Sequence, residues 1–126
     1  MEMQGFEVID SYSRAEAIED GVLVDVSTVA AEAGIRYPVA VTRELRDTYI
    51  VPDPRSVRLG QSESGRLWDI LWMYRMAVPR SSGDTLYFRL YFIMKERQKR
   101  LVTLKAVCGP GDTPEPVITI MLPHED

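Results

Sequence analysis

Three runs in the last third of the chain constrain its fold more than any other feature. They are "LYFRLYFIMK" (Leu86–Lys95), "RLVTLKAVC" (Arg100–Cys108) and "PVITIML" (Pro116–Leu122). A strand turns successive side chains to opposite faces. Read with that period, Leu86, Phe88, Leu90, Phe92 and Met94 share one face. Val102, Leu104, Ala106 and Cys108 share another, and Ile118, Ile120 and Leu122 a third. Each run therefore has one wholly apolar face, and an antiparallel sheet buries such faces together. The link "ERQK" is short enough for a hairpin, and "GPGDTPE" predicts a longer loop.

Something must cover the shared apolar face. "RLWDILWMYRMAV" is the strongest helix signal, because between Leu67 and Val78 only Asp69 and Arg75 are charged. A helix apolar on nearly all sides is expected to be buried on nearly all sides, with Trp68 and Trp72 as core anchors. Nearer the N-terminus, Ser13 and Glu16 have capping-box spacing and Gly21 can end the helix they open. The β-branched run Val22–Val26 predicts a strand. Ser27 is placed to cap a second short helix that Gly34 stops. Pro38 suits the first turn of a third helix, running to about Thr48 with Val41, Leu45 and Tyr49 at helical spacing. Val51–Gly65 is punctuated by Pro, Gly and Ser and predicts a loop. The expected fold class is α+β. Short N-terminal helices and a short strand precede one long buried helix, which packs on a C-terminal three- to four-stranded antiparallel meander. Residues 1–126 are expected to form a single globular domain.

Matching the apolar faces also sets a register. A three-residue loop Glu96–Gln98 pairs Leu90 with Leu104 and Arg89 with Lys105. The next pairing sets Ala106 against Ile118 and Lys105 against Thr119. The outer face then gathers Arg89, Lys105 and Thr119, flanked by Tyr87, Tyr91 and Thr103. Like charges directly opposite each other destabilise a sheet pair, so Arg89 and Lys105 need an anion between them. Asp112 or Glu115 could supply it, as could a ligand phosphate. Solvated sheet faces ordinarily carry these residue types. Tyrosines interleaved with cations also suit base stacking and phosphate contacts. Arg89, Lys105, Thr119, Tyr87 and Tyr91 are thus the candidate anion- or nucleic-acid-binding set, and no catalytic residue is assigned.

Composition narrows the chemistry. The formal net charge of −4 opposes broad electrostatic binding to DNA but leaves room for a local basic patch. One cysteine, Cys108, and one histidine, His124, cannot build a Cys/His zinc cluster. No metal or cofactor is expected, and Cys108 reads as structural. "GPGD" lacks the spacing of a phosphate loop. Glu16, Glu19, Asp20 and Asp25 read as a solvated acidic surface. "MEMQGFEVID" lacks the basic and apolar regions of a signal peptide, and no apolar run reaches the roughly 18–20 residues of a membrane span. A cytoplasmic protein that does not enter membranes is expected.

Four stretches together, "YSRAEAIEDGVLVDVS", "YPVAVTRELRD", "ESGRLWDILWM" and "RLVTLKAVCGPGDTPEPVITIMLPHED", resemble a family of small bacterial proteins without an assigned activity. Its members are often carried on plasmids, prophages and integrative elements. The resemblance covers almost the whole chain in order and implies an accessory protein of mobile DNA. A second, architectural resemblance is to the barnase/RelE-type ribonuclease toxins, which set basic residues and a Ser or Thr on an exposed sheet face. Arg89, Lys105 and Thr119 match in type, while the helical general base of that group has no match here. The expected function is a non-enzymatic interaction protein with a protein or nucleic-acid partner. The alternative is a small ribonuclease using the sheet face. A homodimer through an edge strand is compatible with either.

Overall fold

Ser13 and Glu16 make the capping box that their spacing predicts. The Glu16 N–H donates to Ser13 Oγ (3.0 Å), and the Ser13 N–H donates to Glu16 Oε1 (3.1 Å). The computed structural model describes residues 12–58, 60–94 and 98–126. Helix α1 (Arg14–Glu19) follows the box and gives way at Gly21, whose φ of +80° is left-handed. Strand β1 (Leu23–Asp25) leads into α2 (Ser27–Glu32). Ser27 is the first residue of α2 rather than its cap. Its Oγ donates to Asp25 Oδ1 (2.6 Å) and accepts from the Val39 N–H (3.0 Å), which ties the helix to the next strand.

The expected helix from Pro38 to Thr48 is half strand. Val39–Thr42 forms β2, and helical structure begins only at α3 (Arg43–Leu45), which continues as a π-helical stretch over Arg46–Ile50. Helical spacing loses here to tertiary pairing. Strand β2 is bonded on both sides, antiparallel to β1 and parallel to β5 (Pro116–Met121). Val39, Ala40 and Val41 are consequently almost wholly buried. Thr42 marks the switch, because its Oγ1 accepts from the Leu45 N–H (3.2 Å) and caps α3.

The stretch expected as a loop to Gly65 holds α4 (Pro54–Arg58), and α5 (Glu63–Ala77) starts earlier than Leu67. Ser62 caps it by accepting from the Gly65 N–H (3.0 Å), and a 3₁₀ turn over Val78–Arg80 extends it. Helix α5 does lie on the sheet. It is not buried on all sides: Arg66, Ile70, Leu71 and Tyr74 face inward, while Trp68, Trp72, Met73 and Met76 are exposed. The two tryptophans stack on each other at the surface, with ring centroids 6.3 Å apart, and are not core anchors. The sheet meets only one side of the helix.

Strands β3 (Thr85–Ile93) and β4 (Lys99–Pro110) complete a five-stranded sheet in the order β1-β2-β5-β4-β3. The expected antiparallel meander is its C-terminal part, and the parallel β2–β5 pair makes the whole sheet mixed. The apolar faces are as expected: Phe88, Leu90, Phe92, Val102, Leu104, Ala106, Ile118 and Ile120 are all core. Both registers, however, differ from expectation by two residues. Leu90 pairs with Val102 and Arg89 with Thr103, while Ala106 pairs with Ile120 and Lys105 with Met121. With a side-chain period of two, such a shift keeps every face and changes every partner. The Met94 N–H donates to the Gln98 carbonyl (2.7 Å), so the two strands close on each other at Met94 and Gln98, one residue earlier than a Glu96–Gln98 loop requires. Residues 95–97 lie outside the described residues, as does the N-terminal stretch to which the signal-peptide reading applies. Among the described residues, no helix is long and apolar enough to cross a membrane.

Candidate functional site

Strand β3 is the sheet edge farthest from β1, and its outer face is a row of Tyr87, Arg89 and Tyr91. Tyr87 is 57% and Tyr91 61% exposed. Across on β4 the register sets Lys105 opposite Tyr87, Thr103 opposite Arg89, Leu101 opposite Tyr91 and Lys99 opposite Ile93. Arg89 thus faces a threonine rather than a lysine, and the like-charge pair expected from sequence does not form. Alternate residues lie about 7 Å apart along a strand, so the two phenol rings flank the guanidinium at comparable spacing.

Backbone pairing leaves the same residues open at the edge. The Cys108 N–H donates to the Asp84 carbonyl (2.8 Å) and the Met94 N–H to the Gln98 carbonyl. In an antiparallel ladder this directs the even-numbered residues of β3 at β4. The N–H and C=O groups of Tyr87, Arg89 and Tyr91 therefore point out of the sheet.

Lys105 and Thr119 leave this row. Thr119 sits opposite Val107, and its Oγ1 accepts from Arg14 Nη1 (2.7 Å) while Arg14 Nη2 donates to the Ile118 carbonyl (2.8 Å). Half-buried Arg14 has its pKa lowered by desolvation, opposed by the charges of Asp25 and Asp112. Lys105 Nζ donates to the Glu125 backbone carbonyl. Asp112 does not answer Arg89 or Lys105. Its carboxylate accepts from the backbone N–H groups of Arg14 (2.7 Å) and Ala15 (3.0 Å) at the start of α1. Glu115 is not brought to the pair either, because the loop folds toward α1.

The C-terminal residues fold back over the sheet. Glu125 Oε2 accepts from Thr42 Oγ1 (2.7 Å) and from the Leu122 N–H (2.7 Å), and His124 Nε2 lies 3.1 Å from Glu44 Oε1. These groups line an open groove of 930 Å³ on the β1–β2 side, which Thr119 also lines. His124 and Glu44 are both exposed and stand across the sheet from Arg89. Among the described residues, no three His, Cys, Asp or Glu side chains converge on a metal position.

Sequence reasoning missed the cations at the hairpin end. Lys99 and Arg100 share a concave surface of 710 Å³ with Arg55 and Arg58 of α4, beside Asp53. Extending the alternation of β4 back from Leu101 would have found Lys99 on the tyrosine face. Nothing local marks the α4 arginines, which arrive through the fold. The acidic cluster Glu16, Glu19, Asp20 and Asp25 lies on α1 and β1, toward the opposite edge. The net charge of −4 therefore hides an uneven distribution.

Residues 1–126 match a family of unknown function, DUF6573, and the chain belongs to that family. No curated protein and no solved structure matches it.

Proposed function

We propose that this is a non-enzymatic binding protein that holds a single-stranded nucleic acid along the outer face of β3 and β4. The exposed row Tyr87–Arg89–Tyr91 carries this reading. Every base offers a π-face to a tyrosine, and a guanidinium between two rings can meet the phosphates that link the stacked bases. Lys99 continues the face, and Arg100, Arg55 and Arg58 form a basic surface at the same end of the sheet. Lys105 and Thr119 are outside this set, since one holds the C-terminal residues and the other holds Arg14. In this reading the protein serves a bacterial mobile element, a setting supported by the resemblance carried by its four sequence stretches.

A labelled short RNA or DNA strand, followed by fluorescence anisotropy, tests the proposal. Binding that Tyr87→Ala and Tyr91→Ala each weaken by about 5- to 100-fold is expected, from the usual worth of base–aromatic stacking. Unchanged binding in both variants contradicts it. Running the same mixtures on a gel separates the alternative, because a ribonuclease would shorten the RNA.

A second reading, compatible with the first, is pairing of two copies through β3, favoured by its outward N–H and C=O groups. Arg89 opposite its own mate would be repulsive. A dyad at Phe88 or Leu90 avoids this and sets Arg89 against the mate's Tyr87 or Tyr91. Such a dimer would join the two stacking faces into one surface.

A further inference from the structure

Away from the tyrosine face, a cavity of 560 Å³ opens where the end of α5 and its 3₁₀ turn meet the sheet and the turn after α2. Its lining reaches the core, since Ile35, Ala106 and Ile118 are each buried and each line it. Pockets of this size and lining take small molecules. Tyr74 also lines it and is only 7% exposed. Among the described residues, its hydroxyl has no hydrogen-bond partner. A buried phenol ordinarily finds one, because an unmet hydroxyl costs free energy in an apolar surround. Its ring is fixed edge-on against Phe88, with centroids 5.9 Å apart. Burial raises the phenol's pKa, and Cys108, the chain's only cysteine, shares the lining and adds to that rise.

Arg75 supplies the charge at this cavity. It is exposed, its guanidinium lies over the Trp72 ring at 5.5 Å, and it packs closely against the backbone of Gly34. Gly34 has a φ of +90°, and a Cβ there would stand 2.8 Å from Arg75 Nε. The arginine is thus held at the rim by a stacked ring on one side and a bare backbone on the other. Asp84 also lines the cavity and its carboxylate accepts from Thr85 Oγ1 (3.1 Å).

We infer that this cavity is a ligand site for a mostly apolar ring compound bearing one acidic group. The ring system occupies the space over Ala106 and Ile118. A polar atom on it meets the Tyr74 hydroxyl, and the acidic group meets Arg75. This site is independent of the tyrosine face and would bind its ligand whether or not that face binds nucleic acid.

The test uses 8-anilinonaphthalene-1-sulfonate, an aromatic sulfonate whose fluorescence rises in apolar surroundings, with Ellman's reagent as a second reporter. Because Cys108 is the only thiol, its reaction rate reads this cavity alone. Saturable fluorescence enhancement together with at least a tenfold slowing of the Cys108 reaction is expected. Arg75→Ala, at an exposed position, should weaken the probe about tenfold. Tyr74→Phe keeps the ring and should weaken it several-fold. No enhancement overturns the inference. So does enhancement that leaves the Cys108 rate unchanged, since the dye would then sit on exposed groups such as Trp68 and Trp72. Unaltered binding in Arg75→Ala would overturn the assignment of the acidic group.

Discussion

Two single residues carry more of the fold than their types suggest. Arg66 is 3% exposed, yet it belongs to a residue type that is rarely buried. Its Nη1 donates to the Tyr49 carbonyl (2.9 Å), its Nη2 to the Ile93 carbonyl (2.6 Å), and its Nε to Gln61 Oε1 (3.3 Å), with Phe92 5.6 Å beneath the guanidinium. It thus joins α5 to the end of the π-helical stretch and to the end of β3. Arg66→Met would fill much of the space and orphan both carbonyls, so equilibrium urea unfolding should show a loss of about 2–4 kcal/mol. Asp53 does smaller work at the start of α4. Its carboxylate accepts from the Ser56 N–H (2.8 Å), and chiefly that bond lowers its pKa below the ordinary 3.8. A depressed carboxylate contributes stability above its unfolded-state pKa and loses it as pH falls through the folded one. The melting temperature of wild type should therefore fall more steeply below pH 3.8 than that of Asp53→Asn, which keeps the shape without the titration. Equal acid slopes would show that the bond contributes nothing. The sequence names neither residue. Arg66 opens a run that reads as a helix apolar on nearly all sides, and its partners come from elements remote in the chain.

At the scale of elements, what could be read from the sequence depended on whether the interaction was local. The capping box at Ser13, the left-handed Gly21 and the two-residue period of β3, β4 and β5 are written in neighbouring residues, and each forms as read. Strand β2 could not be read this way, because its partners β1 and β5 lie on either side of it in space and β5 is far along the chain. Register failed for the same reason. Face alternation survives a shift of two, so hydrophobic pattern alone cannot separate Leu90–Leu104 from the observed Leu90–Val102. That shift moves Lys105 from Arg89 to Tyr87 and Thr119 from Lys105 to Val107, while Tyr87, Arg89 and Tyr91 share one strand and stay together under any register. The open edge of β3 gives a direct prediction. Arg89→Ala keeps the outward N–H and Arg89→Pro removes it without touching a bond to β4. If copies pair through β3, light scattering after size exclusion should show a concentration-dependent dimer in wild type and Arg89→Ala, and a monomer in Arg89→Pro. A monomer in all three removes the pairing.

The whole molecule is a charged body with unlike ends. Acidic α1 and β1 stand at one edge, and Arg89, Lys99 and Arg100 at or near the other. Overall charge alone would turn nucleic acid away, and only the fold gathers the cations. If three cations meet phosphates, the logarithm of affinity for a single strand should fall with the logarithm of salt at a slope of about −2. A flat dependence would leave stacking without phosphate contacts. The most direct measurement is a photocrosslink between the protein and a short RNA bearing 4-thiouridine, with the attached peptide identified by mass spectrometry. The account predicts that the nucleotide is found on the β3 peptide, at Tyr87 or Tyr91. A crosslink confined to Trp68 and Trp72 on α5 or to the His124–Glu44 groove, or none at all, would contradict it.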